Sequence, residues 1–224
     1  MPAKEAATRT KRETSTSLLP GESEPAWDIA YLFPRQGTWT EEDYLGLDGI
    51  YDGFPLVELS NGRLEVLAMP TQTHQLILAF LFKILRDFTE VHAPGMVLFS
   101  GMRVRLQKGK SARFRAPDIL YMRAEHAHRR HDKYWDGADL VMEVVSPDAK
   151  DRKRDFEIKP GNYARARIPE YWIIDPEQRR IRVLTLEGQT YKIHGEFGPG
   201  TIATSVLLPG FAVSVDEVFA AANQ

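Results

Sequence analysis

The 224-residue chain contains no cysteine. That excludes disulfides, thiolate zinc sites and cysteine nucleophiles, and it fits a reducing compartment such as the cytoplasm. No apolar run approaches the roughly 18 residues that span a bilayer, so no membrane partner is expected. The opening stretch MPAKEAATRTKRETSTS has no apolar segment and does not read as a secretory signal. Excess positive charge is missing too: 29 Lys and Arg stand against 31 Asp and Glu, a net charge of −2. Affinity for a polyanion would therefore have to come from local clusters. No G-x-S-x-G elbow is present, and Ser146 stands directly before Pro147 with no histidine nearby in sequence. Gly109-Lys110-Ser111 ends like a phosphate loop, but Val104 occupies the place of its first glycine. Serine hydrolysis and ATP binding are thereby disfavoured.

What is present is ordinary globular material, 43% hydrophobic and 27% charged, enough for one domain with a sizeable core. Residues 1–26 are polar and read as a disordered tail, and a single domain is expected over 39–220. Thr40 and Asp43 have capping-box spacing, with Trp39 and Tyr44 placed as a hydrophobic staple, so a short helix is expected there. FPLVELSNGRLEVLAM (54–69) reads as two strands around Asn61-Gly62. Leu76, Ile77, Phe80, Leu81, Ile84, Leu85 and Phe88 recur with helical period and predict a long helix over 73–91. MRVRLQ (102–107) alternates as a strand with arginines on its open face. KGKSARFR (108–115) reads as a basic turn, and PDILYM (117–122) and EYWIID (170–175) as strands. A helix is expected over 155–167, interrupted at Pro160-Gly161. IRVLTL, TYKIH and TSVLL follow as short strands. The order suggests an α+β or mixed α/β fold around one sheet.

DLVMEVVSP (139–147) raises a specific question. Leu140, Met142 and Val144 form one face of a strand and Val141 and Val145 the other, so both faces are covered. Glu143 then lies in a shielded place, where an unpartnered charge costs several kcal/mol. Asp118 opens the strand before it. Two such carboxylates repel unless a cation lies between them. A divalent cation such as Mg²⁺ would serve, since it takes one or two carboxylates and completes its shell with waters and phosphate oxygens. A core Arg or Lys paired with Glu143 would serve equally well.

Taken together, RAPDILYM, DLVMEVVSP and RDFEIKPGNYARARIPEYWIIDP resemble the Uma-two family of putative restriction endonucleases, within the PD-(D/E)XK nuclease superfamily. The likeness runs from about Tyr44 to Phe219. It includes Glu58 before a Gly turn, His74 leading into a helix, Pro117-Asp118, the EVVSP segment, Asp155, Lys159, Tyr163 and EYW. It implies a restriction-endonuclease-like core: a central mixed sheet with helices on both faces, extended by the C-terminal strands. It implies metal-dependent hydrolysis of DNA, with Asp118, Glu143 and the Val144 carbonyl on Mg²⁺ or Mn²⁺. Lys159 becomes the catalytic lysine, Glu58 an extension of the acidic site, and His74 a neighbour of it. The superfamily pattern puts lysine two residues after Glu143, where this chain has Val145, so Lys159 must reach the site from the following helix. Cutting both strands of a duplex generally takes two sites, so the same likeness implies a homodimer.

Arg103, Arg105, Arg113 and Arg115, with Lys108 and Lys110, precede Asp118, and Lys150, Arg152, Lys153 and Arg154 lie between Glu143 and Lys159. These runs are candidates for contacts with DNA phosphates, or are simply solvated faces. HAHRRH (126–131) has no zinc-site spacing and reads as a polar loop. Two further readings remain open from sequence. One is a nucleic-acid-binding or partner-binding module that has lost catalysis, favoured by Val145 and Pro160. The other is hydrolysis of a different phosphorylated ligand.

Overall fold

The computed structural model describes residues 34–47 and 57–223. The tail expected over 1–26 lies outside them. Helix α1 (Glu41–Gly46) starts at Thr40, whose hydroxyl accepts from the Asp43 N–H while the Asp43 carboxylate accepts from the Thr40 N–H. The capping box thus forms as its spacing predicts. Strands β1 (Val57–Ser60) and β2 (Arg63–Val66) close on Asn61 and Gly62, with φ of 50° and 72°. Two left-handed residues give the hairpin turn that follows the strands' twist, and Asn-Gly adopts it most easily. Helix α2 (Gln72–His92) is capped by Thr71 and buries Ile77, Leu78, Leu81 and Leu85.

Six strands form the central sheet, in the order β11-β10-β9-β8-β6-β3. They are β3 (Gly95–Phe99), β6 (Ile119–Arg123), β8 (Leu140–Val144), β9 (Glu170–Asp175), β10 (Arg180–Glu187) and β11 (Thr190–Phe197). Only β8 and β9 run parallel; every other neighbouring pair is antiparallel. Leu140, Met142 and Val144 pack with Ile77, Leu81 and Leu85 of α2, while Val141 and Val145 join Tyr163 and Trp135 on the opposite face. The alternation expected of β8 is therefore present, and every one of its five residues is buried. A fully buried Leu or Ile contributes about 1.5–3 kcal/mol, so the α2 face alone is a major part of the core.

Three features differ from the sequence reading. First, there is a second sheet, β2-β1-β5-β4-β7, built with β4 (Arg103–Gln107), β5 (Arg113–Arg115) and β7 (Tyr134–Asp136). The end of the basic turn is strand β5, paired to both β1 and β4. Second, TSVLL is not a strand beyond Thr204, the end of β12 (Ile202–Thr204), which pairs with β13 (Ala212–Ser214). The Val206 and Leu207 N–H groups instead turn to the buried Glu170 carboxylate, both at 2.8 Å. Third, Pro160 does not interrupt the helix. Helix α3 (Ala149–Lys153) runs through a π-helical turn (Arg154–Ile158) straight into α4 (Lys159–Arg165). A proline lacks the N–H and crowds the preceding turn, and a widened turn absorbs both effects. Helix α5 (Val215–Ala220) closes the α2 face of the core. Among the described residues no helix is long and apolar enough to cross a membrane.

Candidate active site

The antiparallel register of β6 and β8 sets Ile119 opposite Met142. Asp118, just before β6, therefore comes beside the end of β8. Its Oδ2 accepts from the Val144 N–H at 2.7 Å and bonds to His74 Nε2 at 3.1 Å. The Val144 amide thus holds Asp118, a contact separate from the metal ligation that the resemblance implies for the Val144 carbonyl. His74 stands on the first turn of α2, fixed by its N–H to the Thr71 hydroxyl at 3.2 Å. Its Nδ1 is buried and has no hydrogen-bond partner. Burial works against a charged His74 ring, but the bond to Asp118 and the charges of Glu143 and Asp155 outweigh it and raise the pKa.

Glu143 points to the α4 side of β8. Its Oε1 accepts from Lys159 Nζ at 2.8 Å and from the Tyr163 hydroxyl at 2.6 Å. Lys159 also reaches Asp155 Oδ1 at 2.9 Å, so one ammonium bridges two buried carboxylates. The wide turn before Pro160 holds Asp155 and Lys159 on one side of the helix, and the Tyr171 hydroxyl pins it through the Asp155 carbonyl at 3.1 Å. Lys159 thus occupies the space that Val145, packed in the core, does not fill. Burial pushes the Glu143 carboxyl up, to about 7; Lys159 pulls it back, and Asp118 and Asp155 push it further. Lys159 is opposed by burial but held charged by Glu143 and Asp155, which raise its pKa.

Asp118, Glu143, Asp151, Asp155, Arg154, Lys159 and His74 line one cavity of about 50 Å³. One water needs roughly 10–15 Å³ on this measure, so there is room for an ion with a few waters and none for a nucleotide. Four carboxyl groups face two permanent cations there. That shortfall of positive charge, with Glu143 pushed toward its neutral form, suits a hard divalent cation bound by oxygen. No three His, Asp or Glu side chains among the described residues are arranged as a ready-made ligand set. The fit is to two carboxylates with waters completing the shell, the usual manner of Mg²⁺.

The other sequence candidates fall elsewhere. Glu58 is fully buried on β1, bonded to Arg115 and to the Ala116 N–H at 3.0 Å, and it does not line the cavity. Burial would raise its pKa, but Arg115 and Lys159 lower it overall. Arg115, expected on DNA, is enclosed with 2% exposure and serves Glu58 and Glu65. Arg105, expected on an open strand face, is sandwiched between Glu41 and Asp136, with its Nε–Oδ1 contact to Asp136 at 2.6 Å. Arg103 lies over the Tyr44 ring, and Arg113 donates to Ser60 Oγ at 3.2 Å. Of these five candidates only Lys153 stands fully in solvent. The HAHRRH histidines are dispersed: His126 bonds to Asp139 and His131 to Asp136.

Sequence reasoning placed Arg154 in a basic run facing DNA or solvent and gave it no part in the cavity. It lines the cavity, pairs with Asp151 at 2.8 Å, and keeps a buried Nε without a hydrogen bond. Its i, i+3 spacing from Asp151 was the only available signal, and it is common on solvated helices.

A family model, Uma2, described as "Putative restriction endonuclease", matches residues 42–216. The fold is similar to that of a solved protein from Anabaena variabilis, described as a putative nuclease belonging to DUF820. The TM-score is 0.63 at 14% identity, covering 82% of this chain and 98% of that one. No curated protein matches the chain at a significant level.

Proposed function

Since the chain belongs to the Uma2 family of restriction-endonuclease-like proteins, we propose that it is a metal-dependent endonuclease of the PD-(D/E)XK type that hydrolyses DNA phosphodiester bonds. The observation that carries this reading is the convergence of Asp118, Glu143 and Lys159 on one cavity, with the lysine supplied from a helix. Asp118 and Glu143 would hold Mg²⁺ or Mn²⁺. When bound, such an ion activates water and offsets charge on the phosphate.

The protein's own groups do the rest. The Val144 N–H and His74 fix the Asp118 carboxylate from two sides. The Tyr163 hydroxyl fixes Glu143. A cation on Glu143 would free Lys159 from that carboxylate while Asp155 keeps it charged and aimed. Its ammonium then has donors for a phosphoryl oxygen as charge builds there. A water oxygen bonds to phosphorus and releases its proton to solvent, the bond to the leaving nucleoside oxygen breaks, and that oxygen takes a proton from solvent or from His74.

The competing reading, a module without catalysis, leaned on Val145 and on displacement of Lys159 by Pro160. The π-turn leaves Lys159 inside a continuous helix, so the second of these supports is gone. Two sites are needed to cut both strands of a duplex, and a homodimer is the simplest source of them. Light scattering at micromolar concentration tests that part. The test of function is supercoiled plasmid incubated with Mg²⁺, Mn²⁺ or EDTA. Cleavage is expected with metal only, and is expected to be lost in Lys159→Ala. Cleavage in EDTA, or equal cleavage by the variant, would refute it.

A further inference from the structure

A cavity of about 50 Å³ has room for an ion with a few waters or phosphate oxygens around it, but not for the nucleosides attached to that phosphate. Two larger cavities adjoin it. One, of about 320 Å³, is walled by Val145, Pro147 and Pro176 with Thr71 and Thr73, and shares His74 and Ser146 with the catalytic cavity. The other, of about 480 Å³, follows Leu98–Arg103 to Lys133 and shares Ser100 and Gly101 with it.

The sheet fixes their order. β9, β8, β6 and β3 lie side by side, and register brings Ile174 beside Val144, Met142 beside Ile119, and Ile119 beside Phe99. One end of the sheet therefore presents Glu143 and Asp118 side by side, with Pro176 just past the end of β9 on one flank and Phe99 at the end of β3 on the other. The three cavities sit along that end with the catalytic one in the middle. Three strand-to-strand steps of about 4.8 Å make roughly 14 Å, the length of a few nucleotides.

The chemistry of the two outer cavities suits bases. Phe99 is 48% exposed at the edge strand; its ring packs on Phe82 of α2, with centroids 4.4 Å apart, and its exposed part is offered for stacking. Lys133 nearby is exposed, and Arg103, stacked on Tyr44, and Asp132 line the same cavity, leaving it one positive charge in excess. The opposite cavity has apolar walls for a ring, and the hydroxyls of Thr71, Thr73 and Ser146 for its edge; Glu177 also lines it, its charge met by Arg152 at 3.0 Å. A base paired within B-form DNA is stacked and turned to its partner, so it enters neither cavity without being unpaired. Bases of a single strand do so freely.

We propose that the three cavities form a track for one unpaired DNA strand. The scissile phosphate lies in the middle, one flanking base stacks on Phe99, and the other enters the Val145–Pro147–Pro176 cavity. The preferred substrate is then single-stranded DNA, or DNA with a gap, flap or frayed end, ahead of intact duplex. This rests on the nuclease reading of the middle cavity.

Fluorescence anisotropy with the full chain tests it, using one labelled oligonucleotide as a single strand, as a blunt duplex and as a gapped duplex, with Ca²⁺ present. Phe99→Ala removes the stacking face. Thr73→Trp fills the opposite cavity. Both positions are exposed, which spares the fold. The single strand and gapped duplex should bind about tenfold more tightly than the blunt duplex, and each variant should lose about tenfold on the single strand only. Equal or tighter binding of blunt duplex overturns the track, as do unchanged variants or no DNA binding at all. Plasmid cleavage separates the two claims. Cleavage without single-strand preference defeats the track alone, and single-strand preference without any metal-dependent cleavage defeats the nuclease reading alone.

Discussion

Glu58 on β1 and Glu143 on β8 are both buried carboxylates on strands, with 0% and 3% exposure, and both face a buried cation. Their surroundings push them in opposite directions. Glu58 has a backbone N–H and Arg115, which it shares with only one other acid, the half-exposed Glu65, and its pKa is lowered despite burial. Glu143 shares Lys159 with Asp155 and lies near Asp118; burial and these acids carry its pKa up to about 7. Burial alone therefore does not mark a functional acid. What marks it is a local excess of carboxylate over cation, left for a ligand to correct. The Glu58–Arg115 pair is enclosed, lines no part of the catalytic cavity, and joins two strands of the second sheet. The Glu143–Lys159 pair lines a cavity and is open to rearrangement.

The comparison breaks if the two pairs respond alike to substitution. Arg115→Ala strands Glu58 without its cation and should cost about 3–5 kcal/mol, read as the loss of unfolding free energy in urea. A cost under about 1 kcal/mol would deny Glu58–Arg115 its structural role. Glu143→Gln keeps the shape, keeps an acceptor for Tyr163 and relieves repulsion with Asp118 and Asp155. Its stability should lie within about 1 kcal/mol of wild type, because Lys159 retains Asp155. A loss as large as that of Arg115→Ala would make the two pairs equivalent.

A third pair serves as a peripheral reference. Burial pushes the Asp136 carboxyl up, but hydrogen bonds from Arg105 outweigh this and hold it down at about 2. Its contribution is thus fully present above the ordinary carboxylate pKa near 4 and fades as pH falls from there through about 2. Asp136→Asn should therefore be less stable than wild type at pH 7, by less than Arg115→Ala, with the difference vanishing near pH 2. Thermal melts across that range check the sign; a difference that grows on acidification would contradict it.

The parts of this molecule legible in its sequence are those written locally. The α2 stripe, the Thr40–Asp43 cap, the Asn61-Gly62 hairpin and the two-faced strand at 140–144 all depend on neighbours within a few residues. The companionship of Arg115 with Glu58 spans 57 positions and needs the second sheet to exist first. From sequence, that arginine was indistinguishable from its exposed neighbours. Glu170 was invisible for the same reason: its partners Ser205, Val206 and Leu207 come from a turn 35 to 37 residues away. Pro160 misled because the rule for a proline inside a helix is local, whereas the wide turn that accommodates it is held by Tyr171 from β9. At the site, Asp118 and Glu143 stood out from the strand pattern and Lys159 came from the resemblance, while Asp155, Arg154 and Tyr163 acquired their parts only through distances.

The most direct measurement is plasmid cleavage by Glu143→Gln and Glu58→Gln side by side, scaled to the folded fraction of each by circular dichroism. Cleavage should fall about a thousandfold or more for Glu143→Gln, a loss of roughly 4 kcal/mol in transition-state stabilisation. Folded Glu58→Gln should cut nearly as fast as wild type. Loss of cleavage by folded Glu58→Gln, or its survival in Glu143→Gln, would contradict the assignment of one carboxylate to structure and the other to chemistry.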